Sequence, residues 1–186
     1  MSRDEALVFM HQQIANENIR KHMYATEAVM RILAKRFDPE KEEEWALAGL
    51  LHDADYTSEV SAEEQGIIVS QLLEEKGYEI PESVKHCMAS HNYESQFKPE
   101  SKMDWSLFCS DTLTGLIVAT ALVRPDKNLA SMKVKSVMKK FKDNAFARGT
   151  RREHIAMCEE KLGIPLRDFV ELSLQAMQAI SDELGL

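Results

Sequence analysis

The sequence predicts an all-α fold, and three observations predict it. Gly occurs 7 times and Pro 5 times in 186 residues, so backbone breakers are few. Apolar residues recur at three- and four-residue spacing through nearly every segment, and no segment alternates apolar and polar with period two. A Ser or Thr followed three residues later by Glu stands before several of the apolar runs, as at Ser2/Glu5, Ser61/Glu64 and Thr150/Glu153. That pairing satisfies the free N–H groups of a helix start from both sides.

Ser2 and Glu5 open a first helix whose face is Leu7, Met10 and Ile14. The second runs over 17–37 and stops at Asp38-Pro39, because the residue before proline avoids helical backbone. Its stripe is Ile19, Met23, Met30 and Leu33, with His22 and Thr26 among them. The third, over 41–53, is apolar on most sides (Trp45, Leu47, Ala48, Leu50, Leu51), which predicts burial all round, and Gly49 lets a neighbour approach closely. Ser61 opens a fourth helix that stops near Gly77, and Pro81 sits in the first turn of a fifth that reaches about His91. Residues 92–102 read as a loop. A sixth helix covers 104–123 and is closed off by Arg124-Pro125. Three more are expected over 129–141, 150–162 and 165–184. Pro125 to Asn128 is the one seam, so a single domain over 1–186 divides into a core at 18–125 and a C-terminal helical extension at 126–186.

Composition narrows the function. A 44% apolar, 29% charged chain can bury a core. A net charge of −8 argues against general nucleic-acid binding. No run approaches 18 consecutive apolar residues, and the first residues lack the layout of a signal peptide, so no membrane span is expected and the protein is placed in the cytoplasm. Cys87, Cys109 and Cys158 form no CxxC pattern and read as reduced, packed thiols. Charge is uneven: residues 1–125 carry 12 basic and 22 acidic side chains, residues 126–186 carry 11 and 9. Lys133, Lys135, Lys139, Lys140, Lys142, Arg148, Arg151 and Arg152 face Asp143 alone in that stretch. Such a stretch suits an anionic small molecule, with Lys133, Lys140 and Arg124 the candidate substrate-binding residues.

The chemistry lies where polar groups break apolar stripes. His22 interrupts the second helix's stripe, His52-Asp53 ends the buried third helix, and Asp111 occupies the stripe Phe108–Gly115–Val118. A buried carboxylate is costly unless paired or bound to a metal, and His22 and His52 are the natural partners. Two imidazoles and two carboxylates suit Mn, Fe, Zn or Ni better than Ca. Neighbouring residues on a helix point about 100° apart, so the helix must end at His52 for both to reach one ion. Asp55 reads as an exposed loop carboxylate, as a group that supports the metal ligands, or as an acid/base residue, and Glu64 as the partner of Ser61. His86, His11 and His154 read as surface residues.

The set His22, His52-Asp53 and Asp111, within KHMYATEAVMRILA, WALAGLLHDADY and FCSDTLTGL, resembles the HD-domain superfamily of metal-dependent phosphohydrolases over about residues 18–125. The remainder resembles a subgroup of short predicted HD hydrolases. The resemblance implies an orthogonal multi-helix array and one divalent metal held by His22, His52, Asp53 and Asp111. His91, in CMASHNYE, matches a position that holds an additional ligand in two-metal members; where a second such histidine is expected, the chain has Gln65, a weak ligand, which favours one firmly held ion. The implied reaction is hydrolysis of a small phosphorylated molecule such as a nucleotide by metal-activated water, with Asp53 or Asp55 accepting the proton. Two other readings stay open: a di-iron oxygenase of the same fold, and a non-catalytic metal- or nucleotide-binding helical module. Oligomeric state is not legible.

Overall fold

Ser2 and Glu5 form the expected reciprocal cap and start α1 (Arg3–Gln13). The structure is a computed structural model describing residues 1–186, with ten α-helices and no strand. Asn16 caps α2 (Glu17–Phe37), which ends where Asp38-Pro39 requires. A 3₁₀ turn leads into α3 (Glu42–Leu51), buried at every position from Trp45 to Leu51. There follow α4 (Ile68–Glu75), α5 (Glu82–Ala89), α6 (Lys102–Leu122), α7 (Val134–Phe141), α8 (Arg152–Met157), α9 (Leu166–Gln178) and α10 (Ser181–Leu184).

α2 is the central element and packs against α3, α6 and α9, while α6 also packs against α7 and α8. The buried apolar side chains of both halves, from Ala6 to Leu184, join in one connected core. All three cysteines lie in it as free thiols. α6 is long and apolar enough to cross a membrane by length and composition, although no uninterrupted apolar run announces it. Most of that apolar surface is buried inside the fold, which accounts for its composition.

Four helices depart from the sequence reading. Ser61 and Glu64 do pair, but α4 starts at Ile68. Gly66 stands between them in the left-handed region at φ +80°, and the N–H groups of Gly66 and Val69 donate to Asp55. α7 starts at Val134 rather than near Leu129, because Gln178 Nε2 takes the carbonyls of Leu129, Ala130 and Met132. The Thr150/Glu153 cap does not form; α8 starts at Arg152, whose guanidinium takes the Thr150 carbonyl, and it runs into a π turn over Cys158–Leu162. The last helix is broken at Ile180, where the backbone leaves the helical region (φ −118°, ψ 22°).

Gly49 sets the distance between α2 and α3. A Cβ there would stand 3.0 Å from both Glu27 Cα and Glu27 N. At this crossing Glu27 is buried, and Arg3 meets it through two bonds of 2.7 and 2.9 Å, with Arg31 adding a third at 3.1 Å. A buried carboxylate without such partners would carry its full desolvation cost. Gly49→Ala is therefore expected to push α3 off α2 and destabilise the protein by about 1–3 kcal/mol, the usual cost of overpacking. A urea midpoint equal to that of wild type would show that the crossing yields without cost.

Candidate metal centre

The four predicted ligands come from three helices that the core brings together. His22 is on α2, Asp111 on α6, and His52 is the residue at which α3 ends. His52 still has helical backbone, and Asp53 lies in the turn that follows. His22 Nε2 is 2.9 Å from Asp111 Oδ1 and 3.7 Å from Asp53 Oδ2. His52 Nε2 is 3.5 Å from Asp53 Oδ2 and 3.7 Å from Asp111 Oδ1. All four donors lie within 4.8 Å of one another.

Hydrogen bonds on the far side of each ring fix what the near side offers. His52 Nδ1 is 2.9 Å from the Gly49 carbonyl, which can only accept. His22 Nδ1 is 3.1 Å from Thr114 Oγ1, whose own proton goes to the Asp111 carbonyl at 2.8 Å. Both rings therefore carry a proton on Nδ1, assigned from these acceptors, and turn Nε2 to the centre, where a metal ion would take the place of a second proton. The two Nε2 atoms are 3.2 Å apart. Two lone pairs at that distance repel unless a cation lies between them and the carboxylates. Donor–metal bonds of about 2.1 Å would put neighbouring donors about 3.0–3.4 Å apart, from right-angled to tetrahedral geometry. The spacings that involve a histidine nitrogen, from 2.9 to 3.7 Å, bracket that range and fit a divalent metal.

The electrostatics agree. Burial disfavours a charged His52, yet Asp53 and Asp111 outweigh it and push the ring up to about 9. Burial likewise opposes ionisation of Asp111, but bonds from His22 and His52 hold its carboxyl well below the usual carboxylate range. Asp53 is lowered in the same way, against burial, by His52 and then His91. The centre favours positive charge at one point, whether it arrives as a proton or as a metal ion.

His91 is buried, with Nδ1 held by the Met88 carbonyl at 2.6 Å and Nε2 3.4 Å from Asp53 Oδ1. Its ring centroid is 5.0 Å from that of His52, yet it is not one of the four donors that lie within 4.8 Å of one another. Gln65 nearby accepts from Asn92 Nδ2 at 3.0 Å.

A cavity of about 380 Å³ opens on the centre, bounded by Asp53, Asp111 and His91 on one side and by Tyr93, Arg151 and His154 on the other. Three sequence-based assignments need correction here. Asp55 is buried and does not line the cavity; both of its oxygens accept from the Gly66 N–H and one from Val69 at 2.8 Å. It is neither an exposed loop carboxylate nor placed for proton transfer, and burial raises its pKa in spite of those bonds. Arg124, Lys133 and Lys140 are also absent from the cavity. Arg124 pairs with Asp126 and Ser131, Lys133 is exposed just before α7, and Lys140 lies over the Phe146 ring at 4.3 Å. His154, read as a surface residue, packs its ring 4.6 Å from Phe108 and 5.6 Å from Tyr93. Arg151 and His154 were visible in the sequence as an arginine and a histidine three residues apart at a helix start, but nothing local distinguished them from their neighbours.

A sequence model of the HD domain matches residues 19–119. No curated protein and no solved structure gives a significant match. The matched segment covers more than half of the 186 residues and contains all four convergent donors; the chain belongs to the HD domain family, in which metal-dependent phosphohydrolases are common.

Proposed function

We propose that this protein is a metal-dependent phosphohydrolase acting on a small phosphorylated molecule such as a nucleotide. The observation that carries the reading is the pair of convergent Nε2 atoms, each ring held by an acceptor on its other nitrogen and both Nε2 atoms facing two carboxylates. Mn, Fe, Ni or Zn suits that mixed nitrogen and oxygen set. Bound there, the metal would polarise a phosphoryl oxygen and lower the pKa of water.

The chain's own residues do the rest. His22, His52, Asp53 and Asp111 hold the ion. Asp53 borders the cavity with 15% of its side chain exposed, which supports a role in taking a proton from water entering there. His91, bonded to the Met88 carbonyl, keeps the far edge of Asp53 in position. Asp55 orders the turn beneath the site through Gly66 and Val69 rather than joining the chemistry.

Metal analysis of the purified protein, followed by a turnover screen over phosphomonoesters and nucleotides with the metal found, tests the reading. About one tightly held ion per chain and metal-dependent release of phosphate are expected. Phosphate release undiminished after the metal has been stripped would sink it. Two irons per chain with oxygen consumption would favour the oxygenase reading instead, although Gln65 at the expected second-histidine position supplies only an amide oxygen, already used by Asn92.

A further inference from the structure

The loop between α7 and α8 is where the second half of the chain reaches the metal centre. It lies outside the segment matched to the HD domain, and its course is set by a single side chain. Arg152 Nε donates to the Phe141 carbonyl at 2.7 Å, and Nη2 donates to Phe146 at 2.6 Å, Asp143 at 2.9 Å and Lys140 at 3.3 Å. Nη1 reaches the Thr150 carbonyl at 3.3 Å. One guanidinium thus gathers the end of α7 and both arms of the loop, with no carboxylate among its partners. The path it imposes includes Ala147 at φ +44°, a strained value for a residue with a Cβ.

This gathered loop sets Gly149 and Arg151 on the wall of the cavity. Arg151 lies flat on Tyr93, its Cζ 3.3 Å from the ring centroid. Stacking occupies the face of the guanidinium and leaves donors at its edge for a ligand, and its side-chain partner is Tyr93 rather than a carboxylate. Arg151 is also the one Lys or Arg lining the cavity. Asp53 and Asp111 would be balanced by a divalent ion, so a phosphomonoester dianion would bring negative charge that nothing else in the wall offsets. A fork of donors on a flat, stacked support is the arrangement that binds phosphoryl oxygens in pairs.

We propose that Arg151 is the anion-binding residue of this site, that it takes a phosphoryl group of the substrate, and that Arg152 is a positioning residue that holds the loop presenting it. The choice of a phosphoryl group as the anion rests on the phosphohydrolase reading. The test measures inorganic phosphate binding by calorimetry on the full chain loaded with Mn²⁺, beside turnover of p-nitrophenyl phosphate and metal content. Arg151→Ala is expected to weaken phosphate binding by about tenfold or more, the scale of a lost charge-assisted pair, with metal content unchanged. Arg151→Lys is expected to recover only part of it, because a point charge does not reproduce the fork. Lys135→Ala, which removes a charge from the same basic stretch away from the cavity, is expected to stay within about twofold.

Arg152→Ala, or Arg152→Lys should the first variant fold poorly, is expected to weaken phosphate binding as well and to speed proteolysis within residues 142–151. Adding Arg151→Ala to either is expected to cost less than Arg151→Ala costs alone, since the two residues act through one contact. Wild-type-like phosphate affinity in Arg151→Ala, or no phosphate binding by the loaded wild type, overturns the anion site. Additive losses overturn the positioning role of Arg152. Binding that depends on Arg151 without turnover of any phosphoester would leave the anion site standing while the hydrolase reading fell.

Discussion

Asp111→Ala is expected to remove the metal and the activity together while leaving the helical fold in place. The carboxylate stands 2.9 Å from His22 Nε2 and 3.7 Å from His52 Nε2, and with Asp53 it supplies the negative charge that lets two imidazole nitrogens share a cation. Losing a residue that merely supports a ligand costs about 10–100-fold in metal affinity; loss of the ligand itself is expected to exceed that range. Asp53→Ala should do the same and also release His91, whose Nε2 is 3.4 Å from Asp53 Oδ1. Metal per chain after dialysis, read beside far-ultraviolet circular dichroism, checks both variants. Retention of one ion per chain by Asp111→Ala would mean that the ion is held by some other set of donors. Thr114→Val is a milder companion: it removes the acceptor for His22 Nδ1–H, so its expected effect is weaker metal binding with the same stoichiometry.

Gly66→Ala is expected to be the most damaging small substitution in the molecule. The backbone there is at φ +80°, which costs a residue with a Cβ about 1–2 kcal/mol. The added Cβ would also fall 2.0 Å from the Met88 carbonyl oxygen and 2.9 Å from His91 Nδ1, so the backbone itself has to move. Overpacking of that kind costs about 1–3 kcal/mol further. A total of about 2–5 kcal/mol should lower Tm by roughly 4–20 °C for a domain of this size. Because Met88 O is the acceptor that orients His91, and Gly66 N–H is a partner of Asp55, the same change should loosen the Asp53 side of the centre. A Tm within a degree or two of wild type would show that the turn relaxes freely and that His91 is not held as described. Gly77 is also at positive φ, but a Cβ added there would meet nothing within 4 Å, so Gly77→Ala isolates the backbone contribution.

The sequence by itself determined the helical class, most helix positions and the four residues that converge as candidate metal ligands. Its local rules operate where neighbours in the chain decide the outcome. Asp38-Pro39 stops α2 whatever the rest of the fold does, and Ser2 with Glu5 caps α1 from within four residues. The ligands were legible for a related reason: His22, His52 and Asp111 break apolar stripes, and a group that should not be buried advertises a partner. The tertiary structure decided whatever depends on partners distant in sequence. Gln178 takes the carbonyls that would have extended α7 forward, and Asp55 takes the N–H groups that end the turn before α4. The same holds for the cavity wall. Eight basic residues between Lys133 and Arg152 look alike in sequence, since charge carries no direction along a chain. Arg152 spends its guanidinium on backbone carbonyls, Lys140 rests on Phe146, and Arg151 alone is turned onto Tyr93 beside the metal ligands. Which cation faces the centre is fixed by how the α7–α8 loop is folded back on itself, and that is a property of long-range packing rather than of composition.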